Sequence, residues 1–141
     1  MKKVNKARAR LAKRALALHK KKKKAFRCGV RHTNKLRIEL EKAGLGLLDA
    51  SGKTQCQTLL RVLIYRGSKG LNTLEGAACG FLRIATRIQE LEEEGYDIES
   101  NRESAISADG LLHHGIARYV LLDAEPKLSP QGSLDLEEVQ P

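Results

Sequence analysis

The segment Gly70–Asp97, GLNTLEGAACGFLRIATRIQELEEEGYD, constrains the fold of this chain more than any other. Asn72 and Thr73 are residue types that cap helices, and Asn72 with Glu75 has the spacing of a capping box. Leu74 to Cys79 then fill about two helical turns. Gly80 supplies the left-handed backbone that a sharp turn between helices requires. From Leu82 a second helix is expected to run to about Glu94, with Ile84, Ala85, Ile88 and Leu91 on one face at helical spacing. Arg83, Thr86, Arg87 and Glu90 share the other face. Gly95 is a natural residue for the position just past the helix end.

The flanks extend the pattern. A preceding helix is expected over Thr54–Arg66, capped by Ser51 or Thr54 and stopped by Gly67. It offers Leu59, Leu60, Leu63 and Ile64 to a core. Beyond Gly95, Tyr96-Asp97-Ile98-Glu99 alternates as a half-buried strand does, and Ile116–Leu122 reads as its partner. The fourteen residues 102–115 between them read as a long wing loop. The expected fold is mainly α with a small β-hairpin: a winged helix-turn-helix preceded by a basic helical arm.

Several of these elements carry a resemblance. They are the Leu71–Leu74 helix entry, the Gly80 turn, the Arg87-Ile88 pair three residues before Leu91, the Gly95-Tyr96-Asp97-Ile98 strand entry, and the late Arg118-Tyr119. Over residues 54–122, about half the chain, the sequence resembles a family of small helix-turn-helix proteins of bacteriophage and related bacterial genomes. The resemblance implies a DNA-binding winged helix. Where such proteins tend to carry basic residues, this chain has Glu92-Glu93-Glu94. Acidic groups at the C-terminal end of a helix oppose its macrodipole.

Charge divides the chain sharply. Residues 1–42 hold 17 basic and 2 acidic residues, a balance of +15; residues 43–141 hold 9 and 15, a balance of −6. Residues 54–123 alone stand at −3, from 7 basic and 10 acidic groups. The cationic field therefore belongs to the N-terminal part, and an asymmetry of this kind points to a polyanion partner. Ala7, Leu11, Ala15 and Leu18 form a narrow apolar stripe on a cationic helix. Lys20, Lys21, Lys22, Lys23 and Lys24 follow as an unbroken run. Neutralising about six phosphates would give log affinity a slope of about −5 against log salt. Rival readings of the arm are a helix lying on anionic lipid or a solubilising tail.

The expected organisation is a basic, partly helical arm over 1–43 and a hinge over 44–53. A winged domain follows over 54–123, then an acidic disordered tail over 124–141. Thr33–Ala43 could form a short helix with Leu36 and Leu40 one turn apart and Gly44 as its stop. With no Trp, two Phe and three Tyr, the core must be aliphatic. No apolar run reaches the ~20 residues that span a bilayer. Three widely spaced cysteines do not form a secreted disulfide framework. A reducing cytoplasm, of a bacterium or a phage-infected host cell, is the expected compartment.

On the second helix Arg83 and Arg87 are the candidate readers of duplex DNA, since arginine can bind guanine with two parallel hydrogen bonds. Thr86 between them could meet a phosphate or a thymine methyl. The wing offers Asn101, Arg102, His113, His114 and Arg118; Arg102 begins the loop and is the leading candidate there. Ser51-Gly52-Lys53-Thr54 lacks the first glycine of a phosphate-binding loop, Leu47 standing in its place. Cys28 with His32, or His113 with His114, makes too sparse a set for a structural metal. No catalytic constellation, cofactor or small-molecule substrate is expected. The leading function is a non-enzymatic DNA-binding regulator of transcription of phage or bacterial type, with the arm adding charge-driven affinity. The alternative is a winged-helix adaptor for a protein partner, tethered to RNA or DNA by the arm. Helix-turn-helix proteins commonly bind as dimers; the one seam offered for a homodimer is the stripe in the arm.

Overall fold

The computed structural model describes residues 8–10, 13 and 25–127. The lysine run 20–24 and the tail beyond Lys127 lie outside the described residues. Chain order is strand β1 (Phe26–Arg27), helix α1 (Val30–Lys42), helix α2 (Gly52–Arg66), a 3-10 turn (Gly67–Lys69) and strand β2 (Leu71–Asn72). Helices α3 (Thr73–Ala78) and α4 (Ile84–Glu93) and strands β3 (Ile98–Ile106) and β4 (Leu112–Leu121) complete it. The sheet has the order β1-β3-β4-β2, with β3 and β2 antiparallel to β4 and β1 parallel to β3.

The helix boundaries follow from capping chemistry. Ser51 Oγ accepts from the Thr54 amide at 3.3 Å, and Asp49 Oδ1 accepts from the Ser51 amide at 2.8 Å, fixing the start of α2. Asn72 and Glu75 form the full capping box, the Asn72 side chain accepting from the Glu75 amide at 2.7 Å and Glu75 Oε1 from the Asn72 amide at 2.9 Å. Helices α1, α3 and α4 all end in a Schellman motif. In α3 the Phe81 amide donates to the Gly76 carbonyl at 2.8 Å and the Gly80 amide to that of Ala77 at 3.1 Å. Gly80 has φ +100°, which a residue with a Cβ resists. Leu45 repeats the pattern on Leu40, and Tyr96 repeats it on Leu91.

One apolar cluster runs through the molecule. It joins Leu59, Val62 and Leu63 of α2, Ile84, Ile88 and Leu91 of α4, Leu71, Phe81, and Ala117 and Tyr119 of β4. Val62 lies inside; Ile64, expected in the core, is exposed. Ala85 is also exposed, because it sits at the margin of the apolar stripe, and Phe81 is buried immediately before the exposed Leu82.

Two larger revisions concern the flanks. The wing is a long hairpin and not a long loop. Arg102 pairs with Ala117, Glu103 with Ile116, Ala105 with His113 and Ile106 with Leu112, past an irregularity between Glu103 and Ala105. Only the turn around Ser107–Leu111 closes it, with the Ser107 amide donating to the Leu111 carbonyl at 3.1 Å. The second revision concerns residues 25–45, read from sequence as arm and hinge. Leu36, Leu40 and Leu45 belong to the same core cluster as α2 and α4. Strand β1 seals the outer edge of β3, Phe26 opposite Ala105 and Arg27 opposite Ile106. Arm and module are therefore continuous from Ala25 onward. No described helix is long and apolar enough to cross a membrane.

Candidate nucleic-acid interface

Helix α4 is the element that the turn at Gly80 projects. Ile84, Ile88 and Leu91 anchor it, and Gly76 of α3 lies against Ile84 so closely that a Cβ there would collide. The residues left outward are Leu82, Arg83, Ala85, Thr86, Gln89, Glu92 and Glu93. Arg83 stands at the N-cap position with no side-chain cap hydrogen bond, and among the described residues it has no ion-pair partner. Thr86 and Gln89 continue from it at steps of three. Gln89 was missed by the sequence reading, which looked for positive charge; a glutamine can pair with both adenine groups that face the major groove.

Arg87 is placed differently from its sequence reading. Its side chain is 15% exposed and pairs with Glu90, Nη2 to Oε1 3.3 Å. The guanidinium lies over the start of α2, against Gly52. One turn past Arg83, position 87 has rotated toward α2, and Glu90 holds it there. The outward ridge of α4 thus carries one arginine, at Arg83, and ends in Glu92 and Glu93.

The wing candidates also separate. Arg102 is exposed on β3, with Nη1 donating to the Gly115 carbonyl across the hairpin at 3.0 Å. Asn101 beside it is exposed. His113 faces Ser107 at 2.9 Å and His114 faces Ser104 at 2.8 Å, so the two rings serve different partners. Arg118 is turned inward. Its Nε donates to both Glu103 oxygens at 3.0 Å, its Nη1 donates to Glu75 at 3.0 Å, and its guanidinium covers the Phe26 ring at 4.6 Å. Burial opposes its charge, but the carboxylates of Glu103 and Glu75 prevail and raise its pKa.

Glu75 is the centre of this network and is fully buried. Besides Asn72 and Arg118, it meets His32 Nε2 at 2.7 Å and Arg66 Nη2 at 3.3 Å. The network ties α1, α2, α3 and β4 to one carboxylate, and Glu103 adds β3 through Asn72 Nδ2 at 3.0 Å. The capping-box spacing signalled Glu75 in the sequence, but nothing local signalled its burial. Cys28 and His32 diverge onto Asn72 and Glu75.

The arm meets the wing at β1. The Cys28 amide donates to the Ile106 carbonyl at 2.8 Å, and Phe26 stacks edge-on against His32 at 5.1 Å between ring centres. Arg27 is exposed at that edge. Lys24 directly precedes Ala25, so the chain from Lys20 to the edge strand spans at most about 21 Å of contour.

The thiols offer no nucleophile at neutral pH. Burial pushes Cys28 to about 11 and Cys79 to about 11, and burial with the Glu90 hydrogen bond pushes Cys56 to about 12.

Residues 54–124, half of the chain, match the family described as winged helix-turn-helix domain. The chain belongs to that family. Its α2 from Thr54 onward, α3, α4 and the β3–β4 wing fall within the matched span, and β1 and α1 precede it. No curated protein and no solved structure gives a match.

Proposed function

We propose that this protein binds duplex DNA as a regulator of transcription, of phage or bacterial type. Helix α4 enters the major groove with Arg83 and Gln89 toward base edges and Thr86 toward a phosphate or a thymine methyl. Arg102 and Arg27 meet the adjacent backbone from the wing. Lys20–Lys24 add phosphate contacts from the wing's outer edge, where β1 fixes the root of the arm. The observation that carries this reading is the outward ridge Arg83–Thr86–Gln89 on a helix anchored by Ile84, Ile88 and Leu91. In this arrangement phosphate contacts set affinity and position, and the ridge sets sequence preference.

A second reading is favoured by one specific observation: a single basic side chain stands on the exposed ridge, and Glu92 and Glu93 follow it. Such a face suits a protein partner, with the arm supplying the tether to nucleic acid. Selection of bound sequences from a random duplex pool, with the full chain, separates the two. The DNA reading expects an enriched motif. Arg83→Ala and Gln89→Ala should each cost about 1–3 kcal/mol on it, and Arg87→Ala, a residue turned away from the ridge, should leave the sequence preference intact. Affinity without any enriched motif would overturn direct reading by α4 and favour the adaptor.

A further inference from the structure

A cavity of about 620 Å³ opens where α1, the loop after it, α2 and the α3–α4 turn converge. Arg37 and Leu40 line it from α1, Leu45 and Leu47 from the loop, Arg61 from α2 and Gly80 from the turn. Its size lies within the roughly 300–1,000 Å³ typical of small-molecule sites, and its lining is mainly apolar with few polar groups, as such sites are. The two guanidiniums come from different helices and are both exposed. Among the described residues neither has an ion-pair partner or a hydrogen-bonded carboxylate. Glu41 is the single acid in the lining, so the charge there is net positive. The Cys79 thiol, also at the wall, stays protonated and adds no anion. A second cavity, between α2 and α4, answers its own cations, Lys53 and Arg87, with Glu90, Glu93 and Glu94.

We propose that the cavity binds a small organic carboxylate with an apolar body. The carboxylate takes the forked donors of Arg37 and Arg61, a geometry in which arginine holds planar anions best. The apolar body lies on Leu40, Leu45 and Leu47. The site touches the reading head directly. A Cβ added at Gly80 would meet Leu47 Cδ2 at 3.1 Å, so Leu47 rests on the turn that aims α4. A ligand that prefers one placement of Leu47 shifts the population of that turn. This last consequence rests on the DNA reading of α4; the site itself does not.

The test is a titration of the full chain followed by amide NMR. Octanoate and 4-phenylbutyrate are the probes, and octanamide and 4-phenylbutyramide are their neutral counterparts. At least one carboxylate should give saturable shifts confined to the amides of 44–48 and 78–80, with no matching response to its amide. Arg37→Gln and Arg61→Gln, both with the spectrum of a folded chain, should each weaken binding about tenfold. Shifts that fail to saturate, equal response to the amides, or unchanged affinity in both variants would overturn the proposal. Because the readout contains no DNA, its failure is separate from any failure of duplex binding.

Discussion

Replacing Glu75 by glutamine strikes the one carboxylate that four elements share. Glutamine keeps the shape and an acceptor for the Asn72 amide, so the capping box survives. What disappears is the negative charge facing Arg66, Arg118 and His32. The Glu75 side chain is wholly buried, and those of Arg66 and Arg118 are 10% and 14% exposed. Removing one partner of a buried ion pair costs about 3–5 kcal/mol, because the surviving charge stays out of water without compensation. Two features pull the figure to the lower end. Arg118 retains Glu103 at 3.0 Å, and each arginine retains a carbonyl, Arg66 that of Gly70 and Arg118 that of Lys69, both at 2.8 Å.

The expected loss is therefore about 3 kcal/mol, a fall in Tm of about 10–20 °C for a domain of this size. Urea unfolding followed by circular dichroism should show a lower midpoint at unchanged slope. Added salt should recover little of it, since buried pairs are weakly screened. Glu92→Gln, at the exposed C-terminal end of α4, is the control and should be neutral or slightly stabilising. A loss for Glu75→Gln below about 1 kcal/mol, the size of an exposed pair, would refute the buried hub.

Three further outcomes follow from the same geometry. Gly80→Ala places a Cβ at φ +100° and 3.1 Å from Leu47 Cδ2; it should cost about 1–3 kcal/mol, and an unchanged Tm would remove the left-handed turn. A chain beginning at Ala25 should keep its stability, and one beginning at Gly44 should lose about 3–6 kcal/mol, because Leu36 and Leu40 bury about 1.5–3 kcal/mol each, a large part of a stability of typically 5–15 kcal/mol; equal urea midpoints would sink this. The shorter arm should also flatten the salt dependence of nucleic-acid binding, by about 0.9 in slope for each phosphate that is no longer neutralised. The thiols set an alkaline limit. Their folded pKa values are raised from 9.0 to about 11 or 12, so their contribution is complete below pH 9 and is lost as pH rises from there through about 11 to 12. Native-state reaction with Ellman's reagent at pH 8 as fast as in urea would contradict it.

The helix-turn-helix was legible because its signals are local. Asn72 with Glu75, Gly80 and Gly95 act within a few residues of themselves, and each is found doing what its spacing predicts. The wing was half legible. Gly110 and Asp109 mark its turn, but Glu99, Ser100, Asn101 and Arg102 are all exposed, so no alternation betrays the first half of β3. Arg87 and Gln89 show the limit of reading a helix face from charge. They lie two positions apart, yet the neighbouring helix α2 shelters the arginine and leaves the glutamine outward. Glu75 is the extreme case. Its burial depends on Arg66, Arg118 and His32, which lie 9, 43 and 43 residues away in sequence.

The family match begins at residue 54, yet β1 and α1, which precede it, belong to the same sheet and the same core, and the difference has a functional reading. Without β1 the outer edge of β3 would be an open strand edge, a liability that proteins cover or blunt. Without α1, Leu45 and the hub are deprived of their partners Leu40 and His32. The 25–45 segment thus closes a module that its homologous core leaves open. Closing it also fixes where the chain's positive charge starts. A lysine run on a slack linker would search a wide volume and add affinity without orientation. Here the strand that follows the run is paired to the wing, with Phe26 beneath the Arg118 guanidinium. The positive balance, +15 over residues 1–42 against −6 over residues 43–141, precedes the wing in the sequence. On the DNA reading proposed above, this charge draws a polyanion to the chain while Glu92 and Glu93 repel it from the far end of α4, so that Arg83 at the near end is the part of the helix a duplex meets first.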